Sequence, residues 1–475
     1  MAVDPRRWQA LAIVCVAFFM TVLDVSIVNV ALPSIGRHLH FSETGLQWVI
    51  TAYAITFGGF LLLGGRAGDI LGRKRMFLLG VVIFSAASLA CGLASSTGIL
   101  VAARAVQGFG AAIVSPSTLS IITTTFEEGA ERNKALGIWG AMGGSGAAAG
   151  VLFGGILTKY LGWEWIFFVN VPVGALVLVL APGIVRESRA PGERHGFDLV
   201  GAGSVTGGLA LLVYAISKAP VDGWGNGETI GLLIAAAAIL AFFVVWESRT
   251  SRPIMPLSIF RIRTLAGANI VGVLLGASVF ANFFLLTLYV QNVLHFSALK
   301  TGVTFLATAG TTVVVAALSQ WLTTKIGPRI VMAAGLALST GGLIWYAHIP
   351  VHGSYVRDLL PGYLLVGFGL ALSFIPVSIA ALAGVGPRDA GLASGLLNTS
   401  QQVGGAIGVA VASSVAVSRA THLLHTGASQ AAALTSGYSL AFWVTAGVSA
   451  AGIVTALALV RDEEVGEAEA VEVFG

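Results

Sequence analysis

Residues 17–33 read AFFMTVLDVSIVNVALP and continue an apolar run that begins near Trp8. The whole run, 8–33, is long enough to cross the hydrocarbon core of a bilayer as a helix. A single carboxylate, Asp24, lies near its centre, where insertion of an aspartate costs about 2.5–3.5 kcal/mol. The stretch therefore predicts a membrane-spanning helix whose buried acid has a functional or a structural purpose.

The composition of the chain predicts an integral membrane protein. Of its 475 residues, 56% are hydrophobic and 10% are charged, and the mean hydropathy is +0.88, whereas a soluble domain carries about 25% charged residues. Membrane strands would give alternating segments of about 10 residues, so the longer apolar segments predict helices and an all-α polytopic fold. Fourteen transmembrane helices are predicted, at 8–33, 44–65, 75–96, 98–124, 135–159, 164–185, 198–218, 228–247, 264–292, 299–323, 329–349, 358–384, 390–417 and 436–460.

The distribution of lysine and arginine predicts the orientation of these helices. With the N-terminus inside, 19 basic residues fall in cytoplasmic segments and 6 in outer segments, and Arg104 is the one basic residue within a span. An even number of helices places both termini in the cytoplasm. The first span has no small-residue cleavage site after it, so we expect a retained helix. Cys15 and Cys91 are predicted at membrane depths too different for a disulfide.

The chain contains an internal repeat at a spacing of 255–259 residues, as transporters built from two halves do. QGFGAA at 107–112 recurs as VGFGLA at 366–371, and DILGRKR at 69–75 recurs as TKIGPRI at 324–330. The glycines at 137, 146 and 150 recur at 395, 404 and 408. The fourth and fifth spans thus match the twelfth and thirteenth, which predicts two six-helix halves with two helices inserted between them.

This organisation divides the chain into six predicted units. They are an N-terminal half at 1–186, a cytoplasmic linker at 187–197, two inserted helices at 198–248, a second cytoplasmic linker at 249–263, a C-terminal half at 264–461 and an acidic cytoplasmic tail at 462–475. The spacing of 258 residues places Asn282 opposite Asp24. The second half is therefore expected to offer an amide where the first offers an acid.

The motifs resemble those of the major facilitator superfamily, specifically its 14-helix drug:proton antiporter branch, over essentially the whole chain. LDVSIVNVALP at 23–33 and RAVQGFGAA at 104–112 are similar to its first-helix and fourth-helix motifs. GRAGDILGRK at 65–74 is similar to the superfamily's loop motif, keeping Gly65, Asp69, Gly72, Arg73 and Lys74. The fifth span has the spacing of the antiporter motif, with Gly137, Gly146, Gly150, Gly154 and Gly155, although Val151 stands where the motif has proline.

The residues allow two interpretations of Asp24 and Arg104. A fixed ion pair would brace two helices. Alternatively, burial disfavours the charged carboxyl while a nearby guanidinium favours it, so a pair that separates as helices move would take up and release a proton. Because acids within the membrane are functional by default, we favour the proton site. Gln107, three residues after Arg104, shares its helical face.

Two further motifs are predicted to work as gates. The loop with Gly65, Asp69, Gly72, Arg73 and Lys74 could be a topology anchor alone, but the resemblance implies a cytoplasmic latch in which Asp69 meets the other half when the protein faces outward. The four-residue spacing of Gly146, Gly150 and Gly154 predicts a groove for another helix. We expect this groove to form the seal or hinge between the halves and to make no direct contact with substrate.

A candidate substrate cavity is built from polar and aromatic residues of the spans. Its predicted members are Asn29, Trp48, Tyr53, Gln107, Asn282, Tyr289, Asn398, Gln401 and Gln402. The polar run NTSQQVGG at 398–405 is unusual for a span, but its amides could equally bond a neighbouring helix. No metal site and no cofactor are predicted.

These observations favour a secondary transporter over an enzyme, since GxxxxGK[ST] is absent from the sequence. Three functions compete: proton-coupled export of hydrophobic or amphipathic small molecules, uptake of a small organic nutrient, and a membrane sensor without transport. The few polar groups in the spans favour a hydrophobic substrate. The expected setting is the bacterial plasma membrane, with protons and a small molecule as partners, no nucleic acid, and a monomer as the working unit.

Overall fold

The computed structural model describes residues 6–42, 44–126, 130–189, 198–251, 253–255, 257–385 and 390–461. The first predicted linker lies mostly outside these residues, and the acidic tail lies wholly outside them. The described chain is helical and contains no strand. Its helices are α1 (Arg7–His38), α2 (Trp48–Leu71), α3 (Arg73–Gly92), α4 (Thr97–Thr125), α5 (Ala130–Tyr160), α6 (Trp165–Phe168), α7 (Asn170–Ile184), α8 (Leu199–Asp222), α9 (Gly227–Arg249), α10 (Arg263–Leu288), α11 (Ala298–Ile326), α12 (Pro328–Tyr346), α13 (Leu360–Leu382), α14 (Ala390–His425) and α15 (Gln430–Leu459).

The predicted all-α polytopic fold is confirmed. Within the described residues, 13 segments are long and apolar enough to cross a membrane. The segment Trp165–Ile184 is one of them, although a break at Val169 divides it into α6 and α7. The fifth predicted span corresponds to α5, a continuous helix over Ala130–Tyr160.

Local sequence explains where several helices begin and end. Serine, aspartate or asparagine side chains at the N-caps of α4, α8, α9, α11 and α15 accept a backbone N–H of the first turn. The connection between α2 and α3 is the single residue Gly72, whose φ of +115° suits glycine. Gly327, 255 residues later, joins α11 to α12 with a φ of +84°. The same sharp turn therefore occurs at related positions of both halves.

Glycine contacts show that the two halves also pack alike. Gly80 of α3 lies against Val114 of α4, and Gly335 of α12 lies against Ser373 of α13. The first residue of each pair recurs after 255 residues and the second after 259. Helices packed this closely depend on the missing side chain. The repeat seen in the sequence therefore corresponds to a repeat of helix contacts.

Close packing at glycines also recurs between longer helices. In the first half it joins α1 to α5, and in the second half it joins α10 to α14. Gly150 of α5 lies against the carbonyl of Leu23, and Gly408 of α14 lies against the carbonyl of Ala277. The glycines recur after 258 residues, but their partners recur after 254. A second pair of contacts, Gly146 with Phe19 and Gly404 with Val273, gives the same two spacings.

This packing register corrects the predicted counterpart of Asp24. A spacing of 254 residues places Ser278 at the equivalent position of α10, one turn before Asn282. No single spacing relates all the equivalent residues of the two halves, because the connections between their helices differ in length. The segment between α3 and α4 covers residues 93–96, whereas the segment between α12 and α13 covers residues 347–359.

The two helices that we predict to be inserted, α8 and α9, form a hairpin. Leu240 of α9 lies against Gly208 of α8. Gln47 in the turn before α2 bonds Ser217 of α8 through its buried side-chain amide, and Thr206 of α8 lies against Gly59 of α2. The insertion is thus anchored on α2.

Candidate functional site

Asp24 lies at the centre of a buried polar network in the first half. The side chain is fully buried, as is that of Arg104 on α4. An Nη1–H of Arg104 donates to Asp24 Oδ2 at 2.6 Å. Along α1, Asp24 is flanked by buried apolar residues, and a buried charge is stable only when it is paired and hydrogen-bonded. The ion pair that the sequence allowed is therefore present in this conformation.

Arg104 is held by more than its ion pair. Its Nε–H donates to the backbone carbonyl of Val49 on α2 at 2.8 Å, and Nη1 also donates to Gln107 Oε1 at 2.8 Å. The guanidinium carbon lies 4.4 Å from the ring centre of Tyr53, within the range of a cation–π contact. The cation therefore keeps protein partners on α2 and α4 even without Asp24.

Two amides complete the coordination of the carboxylate. Gln107 Nε2 donates to Asp24 Oδ1 at 2.8 Å, and Asn170 Nδ2 of α7 donates to the same oxygen at 2.9 Å. Both amides also donate to Ser88 Oγ of α3, at 3.1 and 3.0 Å. Ser88 in turn donates to the Phe167 carbonyl at 2.9 Å. Three N–H donors thus converge on the two oxygens of Asp24, a geometry that suits the ionised carboxylate.

Sequence reasoning found Asp24, Arg104 and Gln107 and missed Ser88 and Asn170. Asn170 is an amide within the apolar segment WIFFVNVPVG, so the rule that singled out Asp24 could also have found it. Ser88 gives no such signal, because serine is common in membrane helices and readily bonds its own helix.

The predicted cavity residues are not gathered in one place. Tyr53 lies under Arg104, while Trp48 faces Tyr214 of α8 with ring centres 6.5 Å apart. Tyr289 is fully buried in an apolar cluster, and its hydroxyl is bonded to the Pro350 carbonyl at 2.6 Å. Tyr289 and Trp48 therefore have surroundings different from those of Tyr53.

The predicted amides also have different surroundings. Asn29 and Asn398 each donate to a carbonyl of their own helix, at 3.0 and 3.2 Å, and Asn398 is exposed. Gln402 is buried with its Cβ facing Gly58 of α2, and the Gln401 backbone carbonyl faces Gly276 of α10. Asn282 is buried, and its Oδ1 has no hydrogen-bond partner among the described residues.

The glycines of α5 face two different neighbours. Gly146, Gly150 and Gly154 pack against α1 of their own half, whereas Gly155 lies against Ala298 at the start of α11. The Val151 carbonyl of α5 lies against Gly302, which is also on α11. No described atom lies within 4 Å of the position that a Cβ would take on Gly137. The C-terminal part of α5 therefore meets α11 of the second half, whereas Gly137 has no described neighbour at that distance.

Four residues of the loop motif, Gly65, Asp69, Arg73 and Lys74, have their partners within their own half. Arg73 donates to Asp69 Oδ1 from Nη2 at 2.7 Å and from Nε at 3.0 Å. Lys74 Nζ donates to the Pro182 carbonyl at 2.6 Å, and Gly65 packs on Pro116 of α4. The Glu187 carboxylate accepts the backbone N–H groups of residues 74 and 75. These groups lie in the first turn of α3, where a negative charge stabilises the helix N-terminus.

Comparisons with known proteins agree with this architecture. The model of the Major Facilitator Superfamily matches residues 14–409. The chain is 39% identical over 452 residues to the puromycin resistance protein pur8 of Streptomyces alboniger, covering 94% of this chain and 90% of that protein. It is 40% identical over 405 residues to the cephamycin export protein CmcT of Amycolatopsis lactamdurans, covering 85% and 83%.

A solved structure shares the fold. A bacterial homologue of the human lysosomal transporter Spinster, in an inward-facing and unoccupied conformation, superposes with a TM-score of 0.65 at 16% identity, covering 98% of both chains. The chain therefore belongs to the major facilitator superfamily, in the branch of antibiotic-resistance and drug exporters. It is a multi-pass membrane transporter and not an enzyme.

Proposed function

We propose that this transporter exports hydrophobic or amphipathic small molecules in exchange for protons, by alternating access. The observation that carries the proposal is the fully buried Asp24 with three converging donors. An acid of this kind is too unfavourable in a membrane helix to be a chance feature. Its neutralisation would change the contacts between α1, α4 and α7 together.

The network supports a specific switching step. A proton bound to Asp24 removes its charge and adds a donor where three N–H groups already point. Arg104 can then remain on the Val49 carbonyl and Gln107 Oε1 while its attraction to α1 weakens. Release of the proton restores the ion pair. The two states thus differ in how firmly α1 is held against α4.

The contacts between the halves support an inward-facing state. The C-terminal part of α5, which we place on the outer side, is closed against α11 through Gly155 and Ala298. Asp69 is paired with Arg73 of its own half. In an outward-facing state Asp69 would leave this arrangement and hold the second half at the cytoplasmic side, as a latch.

The substrate class is inferred from the spans and from the relatives. Relatives are named for puromycin resistance and for cephamycin export. The predicted amides are dispersed, and two bond their own helices, so a polar nutrient would meet few free partners. Uptake of a small organic nutrient is the weaker candidate for this reason. We propose antibiotics, antiseptics or related metabolites as the substrates.

The proposed setting is the bacterial plasma membrane, with both termini in the cytoplasm and a monomer as the working unit. The excess of basic residues in the predicted cytoplasmic segments supports this orientation. Single cysteines placed at 219–227 should react with an impermeant reagent added outside intact cells, and a cysteine at Ser251 should react only after lysis. The opposite pattern would contradict the orientation.

Substrate-triggered proton influx into proteoliposomes, followed with a pH-sensitive dye, tests the coupling. Asp24→Asn should insert normally and lose uphill export, because the amide cannot titrate, and Asp24→Glu should keep part of the activity. Ser278→Ala is the matched control, since it changes the equivalent position of the other half and should keep coupling. Full proton-coupled transport by Asp24→Asn would leave Asp24 a structural ion-pair member.

A further inference from the structure

A pair of buried acids lies at the base of the inserted hairpin, where α8 begins and α9 ends. Asp198 precedes α8 and is 7% exposed, and Glu247 in the last turn of α9 is 3% exposed. The transport network described above does not include either residue. The distribution of basic residues places this end of the hairpin on the cytoplasmic side.

Three carboxyl oxygens of this pair have structural partners. Asp198 Oδ1 accepts the Gly201 N–H at 2.7 Å, which caps α8, and both oxygens of Asp198 accept the Trp246 indole N–H, at 2.9 and 3.0 Å. Glu247 Oε2 accepts the backbone N–H of Met255 at 3.0 Å. These bonds tie the start of α8 and the end of α9 to the linker that enters the second half.

The fourth carboxyl oxygen of the pair, Glu247 Oε1, differs from the other three. Glu247 Oε1 is buried and accepts no hydrogen bond from the described residues. It lies above Gly201 together with Asp198 Oδ2, and both oxygens are within 2.7 Å of where a Cβ on that glycine would be. Because both oxygens lie so close to that one point, they are neighbours of each other. Two acceptors therefore face each other over a residue that has no side chain.

No cation of the described chain neutralises this pair. α2, which packs on the linker through Leu63 and Ile254, carries Arg66, whose Nη1 donates to the Pro253 carbonyl at 3.0 Å. α9 also carries Arg249, and neither arginine forms an ion pair with Asp198 or Glu247. Two adjacent ionised carboxylates in a buried site repel strongly, which favours one proton between them.

We propose that Asp198 and Glu247 share one proton and form a second proton-binding site, separate from the transport pathway, that responds to cytoplasmic pH. In the bound state the Glu247 O–H donates to Asp198 Oδ2. On dissociation that O–H bond breaks, the proton passes to cytoplasmic water, and two carboxylates remain. Their repulsion then moves Glu247 away from α8 and loosens its bond to Met255.

The linker connects the loss of this proton to the loop motif that we propose as the gate. Residues 250–262 join the inserted hairpin to α10, and Arg66 holds the Pro253 carbonyl beside the loop motif that begins at Gly65. Loosening the linker at alkaline pH would weaken its connection to α10 and its bond with Arg66. The site does not depend on Asp24 being the coupling residue, so the two proposals can fail separately.

Infrared spectroscopy of the purified full chain tests the shared proton. The wild type should show the carbonyl stretch of a protonated carboxyl at neutral pH, and this band should titrate away at alkaline pH. Glu247→Gln should remove the band, because its amide can donate to Asp198 permanently, and Asp24→Asn should keep it. Asp198→Asn is the second variant, since its side-chain oxygen can still cap α8.

Accessibility of the linker tests the consequence. A cysteine at Ser251 should react with maleimide equally fast in the wild-type and Glu247→Gln backgrounds at neutral pH, and several-fold faster in the wild-type background at alkaline pH. The comparison at each pH removes the effect of thiol ionisation. A band that survives Glu247→Gln, or equal rates in both backgrounds at every pH, would overturn the proposal.

Discussion

The two halves have the same helix contacts but opposite chemistry at their centres. Arg104 of α4 and Tyr363 of α13 are 259 residues apart, the spacing that the packing of these helices gives. Arg104 bonds a buried carboxylate, whereas the Tyr363 hydroxyl is 3.2 Å from Thr304 Oγ1. Phe305 and Tyr346 surround the Tyr363 ring at centre distances of 5.3 and 5.9 Å.

The other members of the network differ in the same direction. At the positions of Asp24, Ser88 and Gln107 the second half has Ser278, Leu343 and Val366. Small residues set the helix contacts in both halves, so the residues at the centre can change without a change of fold. The first half therefore carries the ionisable network, and the second half has a neutral, buried aromatic cluster at the related place.

The largest difference between the halves should appear when each central residue loses its polar group. Arg104→Ala leaves a buried carboxylate unpaired and should destabilise the protein by about 3–5 kcal/mol. Tyr363→Phe removes one hydroxyl contact and should cost about 0.5–1.5 kcal/mol. Thermal unfolding of both variants in the same detergent measures the difference. Equal losses would show that the Arg104 network contributes no more than an ordinary hydrogen bond.

Arg104→Ala should also change the pH dependence of transport. Without the guanidinium, the buried Asp24 loses the cation that stabilises its ionised form. We expect the optimum of any remaining transport to move to higher pH, while Tyr363→Phe keeps the wild-type profile. An unchanged optimum for Arg104→Ala would mean that Asp24 does not titrate during transport.

The next largest effect concerns the shared glycine contacts. A Cβ at Gly150 would lie 2.7 Å from the Leu23 carbonyl oxygen, and one at Gly408 would lie 2.3 Å from that of Ala277. Alanine at either position should cost about 1–3 kcal/mol, because the helices must move apart. Gly137→Ala meets no described atom within 4 Å and is the control. If the unfolding temperature fell for Gly150→Ala but not for Gly408→Ala, the two glycine contacts would not be equivalent.

A smaller effect separates the two loops. Asp69 is ion-paired with Arg73, whereas the related residue in the second half, Thr324, bonds the Gln320 carbonyl of its own helix. Asp69→Asn should insert normally and slow turnover several-fold, because it disturbs the gate, and Thr324→Ala should not. Initial export rates at matched expression measure this. Wild-type rates for Asp69→Asn would reduce Asp69 to an ordinary loop residue.

The smallest expected effect concerns substrate charge. The carboxylate of the first half is already paired with Arg104, and the second half has the uncharged Ser278 at the equivalent position. Neutral or monocationic amphipaths should therefore be exported better than dications, whose second charge would remain unpaired in a buried site. Minimal inhibitory concentrations for paired mono- and dicationic antiseptics measure the preference. Equal protection against both would contradict it.

The sequence determined the fold and the site in part through local properties. The length of the apolar segments fixes how many helices can cross a bilayer, and the depth of Asp24 and Arg104 within two spans predicted a pair that the structure contains. The turns at Gly72 and Gly327 are also encoded locally, because glycine readily adopts positive φ. Each of these signals needs only a few neighbouring residues to be recognised.

Tertiary structure alone decided the features that depend on register between distant helices. Ser278 replaces Asn282 as the counterpart of Asp24, because unequal connections change the spacing of the repeat along the chain. Asn170 joins the network only because α7 packs beside α1. The facing oxygens of Asp198 and Glu247 are 49 residues apart in sequence. Such contacts follow from how helices dock, and a helix carries no sequence signal for which turn of its neighbour it will meet.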